Sequence, residues 1–199
     1  MTKLEHIALQ LWDRNTVIPQ ANQTLYFDVR PAEFARKSKG INLDLATDIL
    51  DQVRGLVLTN GILFDFFASV PFGGCPFAEH AGRLFNKPAL YIPKNYHGKL
   101  GPLPCYAPER SAVPLLIENV TRHGTDLVAV VEFLRENGYA VQSAITIVDH
   151  EMGARGRLER LGVKLYSVFT RTNFFRLLLQ REQITKATYD LFTKDCVAP

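Results

Sequence analysis

The sequence contains little cysteine, tryptophan or methionine, with three, one and two residues among 199. The cysteines, Cys75, Cys105 and Cys196, are odd in number and have no metal-ligand spacing. They indicate reduced thiols and exclude a disulfide framework. Because we also expect no secretory signal, the sequence predicts a cytoplasmic protein.

Long apolar runs, internal repeats and low-complexity tracts are also missing. The N-terminal stretch MTKLEHIALQLWDR carries charges throughout, so we expect neither a signal peptide nor a membrane span. The net charge is only +3, and the basic cluster RKSKG at 36–40 is interpreted as a solvated loop, so no nucleic-acid partner is expected. The four histidines outside the N-terminal helix lack HxxxH and HExxH spacing, so no zinc site is expected.

What the sequence does contain is an alternation of strand-like and helix-like segments. Strands are predicted at 25–30, 64–70, 89–93, 113–120, 140–149 and 163–170. Helices are predicted at 3–13, 42–60, 76–86, 125–138, 152–162, 172–180 and 184–193. Continuous apolar strands that alternate with helices indicate an α/β fold with a mostly parallel sheet covered on both faces. Ligands of such sheets bind at the carboxyl ends of the strands.

Two of these strands are followed by glycines or cations. Gly73 and Gly74 come after the strand at 64–70, where they either let backbone N–H groups approach an anion or form a plain tight turn. Lys94, His97 and Lys99 come after the strand at 89–93, in a long loop that is either a lid over a charged substrate or a solvated surface loop.

The strand at 113–120 ends in Glu118 and Asn119, which can accept hydrogen bonds from ribose hydroxyls, directly or through hydrated Mg²⁺. The turn at 121–125 after it can wrap an anion with backbone N–H groups. Alternatively, Thr125 or Asp126 is a simple helix N-cap. His150, after the strand at 140–149, is either a ligand contact or an ordinary surface histidine.

These features, taken in order, resemble the type I phosphoribosyltransferases, and among them the orotate phosphoribosyltransferases. The similar segments are YFDVR (26–30), SVPFGGCPFA (69–78), YIPKNYHG (91–98), LLIENVTRHGT (115–125) and VDHEMGARGRLERLGVKLYSVFT (148–170). They correspond to the family's N-terminal strand, pyrophosphate loop, flexible catalytic loop, phosphoribosyl diphosphate (PRPP) motif and base-side element. The resemblance implies the type I phosphoribosyltransferase fold in a single domain at 1–199, with an N-terminal helix and small hood at about 1–40 and a core at about 41–199.

The resemblance also implies a function: Mg²⁺-dependent transfer of phosphoribosyl from PRPP to a pyrimidine or related base, with release of pyrophosphate, by a homodimer. The implied roles group the residues by ligand. The PRPP and phosphate residues are Glu118, Asn119, Arg122, His123, Gly124 and Thr125; the pyrophosphate loop is Phe72, Gly73 and Gly74; the catalytic cations are Lys94, His97 and Lys99; the base contacts are Tyr26 and His150. The Mg²⁺ ion has no direct side-chain ligand in this scheme.

The departures from the family pattern lie at ligand positions. Asn119 replaces a carboxylate, Arg122 and His123 replace small hydroxyl residues, and Asp126 replaces serine or threonine. His150 replaces an arginine, and IPQ at 18–20 has no lysine. These replacements predict a degenerate PRPP motif, which Arg122 can offset by binding phosphate, and an altered base pocket. An inactive family member that binds a nucleotide monophosphate or a protein partner is the alternative function.

Overall fold

The structure is a computed structural model that describes residues 1–19, 25–32, 35, 38–95 and 97–196. Its helices are α1 (Lys3–Asp13), α2 (Leu43–Thr59), α3 (Cys75–Phe85), α4 (Thr125–Glu136), α5 (Ala154–Arg160), α6 (Arg171–Gln180) and α7 (Lys186–Thr193). Its strands are β1 (Val17–Pro19), β2 (Leu25–Phe27), β3 (Phe66–Ser69), β4 (Ala89–Leu90), β5 (Pro114–Thr121), β6 (Ser143–Asp149) and β7 (Lys164–Thr170). The predicted helices begin and end within two residues of the observed ones.

The central sheet has the strand order β4-β3-β5-β6-β7, and all of its pairs are parallel. Neighbouring side chains along a strand point to opposite faces, so Leu116 packs with α4 and α5 while Leu115 and Ile117 pack with α1, α2, α3 and α6. Both faces of β5 are buried, which explains its continuous apolar sequence. The predicted α/β fold class is therefore confirmed.

Several strand predictions were wrong in extent. The strand predicted at 25–30 ends at Phe27, because Asp28 turns into the interior and pairs with Arg30. The strand predicted at 89–93 ends at Leu90, because the N–H of Ile92 donates to the Ser69 hydroxyl instead of to a carbonyl of β3. Sequence analysis also missed β1, which pairs antiparallel with β2 in a separate two-stranded sheet, here called the N-terminal hairpin.

The chain reverses its direction of travel across the sheet between β3 and β5. It passes outward from β3 to β4 and then returns to β5 on the other side of β3. Helices and loops on the two sides of such a switch point diverge, which leaves a crevice beyond the carboxyl ends of the two strands. No helix in the described part of the chain is long and apolar enough to cross a membrane.

Gly74 occupies the closest approach between the β3–α3 loop and β5. A Cβ on Gly74 would lie 2.2 Å from the carbonyl oxygen of Ile117 and 2.9 Å from that of Val70, and neither backbone can easily move. We therefore expect Gly74→Ala to lower the free energy of unfolding by about 3 kcal/mol in urea denaturation. Gly55→Ala is the control, because nothing lies within 4 Å of a Cβ at that position in α2. Alanine there should raise the free energy of unfolding by about 1 kcal/mol, since it favours the helix more than glycine does. Equal unfolding free energies for Gly74→Ala and the native chain would contradict this packing.

Candidate functional site

A cavity of about 820 Å³ lies at the switch point between β3 and β5. Three parts of the chain line it. They are the β3–α3 segment (Pro71, Phe72, Gly73, Cys75 and Pro76), the end of β5 with the start of α4 (Glu118, Asn119, Val120 and Asp126), and the N-terminal region (Tyr26, Arg30 and Ala35). A volume of this size suits a small-molecule ligand. The structure therefore brings the predicted pyrophosphate loop, the predicted PRPP motif and Tyr26 to one place.

The β3–α3 loop fits closely against β5. The side-chain oxygen Oδ1 of Asn119 would lie 2.1 Å from a Cβ on Gly73, so a side chain at position 73 would displace this asparagine. Gly74 is the N-cap residue of α3 and has no side chain to cap the helix. The positive end of α3 therefore faces the cavity through Cys75 and Pro76, which suits an anionic ligand.

Asn119 joins three parts of the structure. Its Nδ2 donates to the carbonyl oxygen of Val29 at 3.2 Å, and its Oδ1 accepts from the N–H of Val120 at 2.9 Å. The same side chain packs against Gly73. Asn119 thus connects the N-terminal hairpin region to β5, and both of its polar atoms already have partners within the protein.

Glu118 lies at the centre of the site. It is buried, it lines the main cavity, and its Oε1 accepts from the N–H of Asn119 at 3.0 Å. Burial raises the pKa of this carboxyl group well above its ordinary value, against the opposing effect of that hydrogen bond. The Asp126 carboxylate raises the pKa further, whereas Lys94 lowers it. The group is therefore more readily protonated than an exposed glutamate.

The turn between β5 and α4 lines a smaller cavity of about 200 Å³, which also includes Glu118. Gly124 is the N-cap residue of α4, with φ of +74°, and no side chain caps the helix. The interpretation of Thr125 or Asp126 as N-cap was therefore wrong. A Cβ on Gly124 would lie 3.1 Å from Ala154, so this left-handed turn packs directly on α5. The first helical N–H groups of α4 receive no side-chain cap, which leaves the turn able to bind an anion.

The two basic residues of this turn point away from one another. Arg122 Nη2 donates to the carbonyl oxygen of Leu25 in β2, while His123 Nδ1 lies 2.9 Å from the carbonyl oxygen of Met152. The Thr125 hydroxyl lies 3.5 Å from Arg157 Nη1. Arg122 therefore connects the turn to the N-terminal hairpin, and its guanidinium does not close over the turn itself.

His150 is only 1% exposed, so its interpretation as an ordinary surface histidine was wrong. Its backbone N–H donates to Thr121, and the ring stands edge-on to Phe27 with centroids 5.1 Å apart. Burial lowers the pKa of His150 to about 3, and the nearby charges of Arg122, Arg171 and His123 lower it as well. The imidazole is therefore neutral at physiological pH and cannot act as a protonated carboxylate ligand.

In the part of the chain that the structure describes, three buried nitrogen atoms have no hydrogen-bond partner. They are His150 Nδ1 and the Nε atoms of Arg122 and Arg171, whose charges both act on His150. Arg171 begins α6 and is only 3% exposed. A buried polar group without a partner costs about 1–3 kcal/mol. These atoms therefore form a region of unmet hydrogen-bonding capacity. Sequence analysis did not identify Arg171, whose position after a predicted strand was the one available signal.

The predicted catalytic cations lie on a short hairpin after β4. Lys94 and Leu100 form an antiparallel bridge, Gly98 has φ of +82°, and the N–H of Asn95 donates to the carbonyl of Lys99 at 2.9 Å. Lys94 Nζ lies 2.7 Å from Asp126 Oδ1. His97 and Lys99 are exposed at the tip, and Tyr96, like Gln20 of the IPQ stretch at 18–20, lies outside the described residues. Of the three predicted cations, Lys94 pairs with a residue that lines the main cavity.

His150 gives the stability of the protein a defined pH dependence. Its pKa is about 3 in the fold and about 6.5 when exposed, so the unfolded chain binds more protons between these values. We expect the free energy of unfolding to rise with pH over this range, by up to about 1.4 kcal/mol per pH unit from this group. Chemical denaturation of His150→Gln across pH 4–6.5 should show a shallower slope than the native chain. His97→Gln, which removes an exposed imidazole, is the control, and equal slopes for His150→Gln and the native chain would contradict the assignment.

Comparison with known proteins then identifies the family. No family model matches the chain. The orotate phosphoribosyltransferase of Aeropyrum pernix is 30% identical over 149 residues, which are 74% of this chain and 75% of that protein. Three further proteins of that name align over 63% to 92% of their lengths.

Solved structures show the same fold. Leishmania donovani UMP synthase matches 96% of this chain with 41% of its own, at a TM-score of 0.77 and 19% identity. Mycobacterium tuberculosis orotate phosphoribosyltransferase in complex with PRPP matches 87% of this chain and 99% of its own, at a TM-score of 0.65 and 17% identity. With the cavity between β3 and β5 and the motifs that line it, these similarities show that the chain belongs to the orotate phosphoribosyltransferase family.

Proposed function

We propose that this protein transfers the phosphoribosyl group of PRPP to a pyrimidine-like base and releases pyrophosphate, with orotate as the first base to consider. The observation that carries the proposal is the cavity at the switch point, where the β3–α3 loop, Glu118 and the Lys94–Asp126 pair meet. A related protein has been solved with PRPP, and the chain is similar to it in fold. The proposed reaction requires no nucleophile from the protein, because the base itself displaces pyrophosphate at the anomeric carbon.

In the proposed reaction the protein acts by positioning and by charge. The diphosphate would lie at the N-terminus of α3, against the backbone at Gly73 and Gly74, and the ribose beside Glu118. Lys94, released from Asp126, would face the departing pyrophosphate, where negative charge builds up in the transition state. Holding base and sugar in line converts an encounter of two molecules into a reaction within one complex.

The unpaired nitrogens of Arg122, His150 and Arg171 are buried, and Arg122 also lines the smaller cavity, so this region supports a base that presents oxygen acceptors. A pyrimidine with ring carbonyls, or with a carboxylate as in orotate, supplies such atoms. His150 would recognise the base as a neutral hydrogen-bonding group, so any charge recognition of a carboxylate falls to the two arginines. Tyr26 at the edge of the main cavity would form an aromatic wall, supported by the Arg30 guanidinium 5.9 Å from its ring centroid.

The residues present fit a Mg²⁺ ion that arrives on the diphosphate of PRPP. Among the described residues no three His, Cys, Asp or Glu side chains are grouped to hold a metal. Glu118 has a raised pKa, and Asn119 Oδ1 already accepts from Val120, so neither is a strong ligand by itself. Glu118 would contact the hydrated ion, which when bound neutralises charge on the diphosphate.

The alternative function is that of an inactive family member that binds a nucleotide monophosphate or a protein partner. Two observations favour it: the polar atoms of Asn119 are used within the protein, and Lys94 is paired with Asp126. Both would reduce the capacity of the site to hold ribose and pyrophosphate.

We also propose that the protein is a homodimer in the cytoplasm. Sedimentation equilibrium tests the dimer.

Pyrophosphate release separates the two functions. The protein is incubated with PRPP, Mg²⁺ and orotate, uracil or a purine base in turn, and we expect release with orotate or another pyrimidine. Lys94→Ala should lower kcat by about 100-fold, as loss of one preorganised charge does elsewhere. Lys186→Ala, on the exposed face of α7, should leave the rate unchanged. No release with any base would exclude transfer, and calorimetry with nucleoside monophosphates would then test the alternative.

Substitution of Arg122 tests whether this residue contacts the base or the phosphate. Because its guanidinium bonds to Leu25 and its charge acts on His150, we expect Arg122→Met to raise KM for the base by about 10- to 100-fold. The dissociation constant for PRPP, measured by calorimetry without base, should change by less than about twofold. Arg176→Met, which removes an exposed cation of α6 that lines neither cavity, is the control for general loss of positive charge and should change neither constant. A loss of PRPP affinity in Arg122→Met with unchanged KM would instead make Arg122 a phosphate ligand, as sequence analysis predicted.

A further inference from the structure

Lys94 and Asp126 form an ion pair across the mouth of the site. Their Nζ and Oδ1 atoms are 2.7 Å apart, and the residues are separated by 32 positions in the chain. The contact is therefore tertiary, unlike the helical pairs Arg83–Glu79 and Lys186–Asp190, which are four residues apart. It joins the hairpin after β4 to the first turn of α4.

The hairpin holds the lysine in this position. The N–H of Gly98 donates to the carbonyl of Asn95, the N–H of Lys99 donates to Asn95 Oδ1, and the N–H of Gly101 donates to the carbonyl of Pro93. Lys94 stands at the base of this closed turn, and its side chain is only 19% exposed. The lysine is therefore directed toward α4 by the backbone of the hairpin as well as by the charge of Asp126.

Asp126 stands where an anionic ligand would also be stabilised. It lies in the first turn of α4, where the helix dipole favours negative charge, and it lines both the main cavity and the smaller cavity at the turn. Glu118 lines the same two cavities, and the charge of Lys94 lowers its pKa, so Lys94 acts on two carboxyl groups. A phosphate group that entered either cavity would compete with Asp126 for the same lysine and would be repelled by the same carboxylate.

We propose that Asp126 is a specificity-determining residue that competes with ligand phosphate for Lys94. The proposal rests on the proposed function, because it takes the ligand to be a phosphate or diphosphate. A ligand must supply enough negative charge to draw Lys94 away from Asp126. A diphosphate can do so more readily than a monophosphate, so the pair selects for diphosphate-bearing ligands.

The test is an isosteric change that removes the charge, Asp126→Asn. Asp126 is 61% exposed, so the variant is expected to fold. Calorimetry with inorganic pyrophosphate and inorganic phosphate should show about tenfold tighter binding of pyrophosphate and a larger gain for phosphate. Asp190→Asn, which breaks the exposed pair with Lys186 on α7, should change neither affinity. Hydrogen exchange at residues 95 and 97–101 should become faster in Asp126→Asn but not in Asp190→Asn.

A second variant tests whether the gain in pyrophosphate affinity requires Lys94. In Lys94→Met the pyrophosphate affinity should fall. Adding Asp126→Asn to it should give a smaller gain than in the native background, because only the direct repulsion between carboxylate and phosphate is then relieved. Unchanged or weaker pyrophosphate binding in Asp126→Asn would overturn the proposal, as would an equal gain in the Lys94→Met background. So would failure of every variant to bind pyrophosphate.

These outcomes are distinct from failure of the proposed function. If Asp126→Asn binds pyrophosphate more tightly but neither it nor the native chain releases pyrophosphate from PRPP with any base, the competition stands and the transfer activity does not. If the native chain transfers phosphoribosyl and Asp126→Asn shows no gain in affinity, the activity stands and the competition does not.

Discussion

The close approach between the β3–α3 loop and β5 is the contact on which the rest of the site depends. Gly74 lies against the backbone at Ile117, and Gly73 lies against the side chain of Asn119. This approach directs the N-terminus of α3 at the crevice and places Glu118 at its centre. Asn119, fixed by the same contact, reaches Val29 and brings the N-terminal hairpin region over the crevice. A side chain at either glycine would separate these parts.

Charge is arranged unevenly along the site that results. Beside the N-terminal hairpin, Arg122, Arg171 and the neutral His150 contribute buried nitrogens without partners. Glu118 lies between the two ends and is readily protonated because it is buried. At the mouth, Lys94 and Asp126 neutralise each other. In the proposed reaction, the oxygen acceptors of a base would contact these nitrogens. The diphosphate would compete with Asp126 for Lys94. Two of the residues that depart from the family's PRPP motif thus have partners in the fold. Asp126 pairs with Lys94, and Arg122 donates to the carbonyl of Leu25.

The elements of the fold could be predicted because they depend on local pattern. The apolar stripe of α1 and the continuous apolar run of β5 each indicate one secondary structure, and their positions followed from the sequence. The ends of β2 and β4 could not be predicted in the same way. They are set by single contacts with distant residues, such as the bond from Ile92 to Ser69, which no period in the sequence reveals. The short strand β1 was missed because three residues are too few to show alternation.

The sequence by itself determined which chemistry is present at the strand ends and in what order, since the succession of strands along the chain and the spacing of motifs are properties of the chain. It thereby indicated the family, the parallel sheet and the location of the site. Only the tertiary structure decided what each side chain does there. Burial under Phe27 makes His150 neutral, the packing of Gly124 on Ala154 removes a side-chain cap from α4, and a hairpin after β4 brings Lys94 to Asp126. Protonation and pairing depend on burial and on neighbours far away in the chain, and these exist only once the chain has folded.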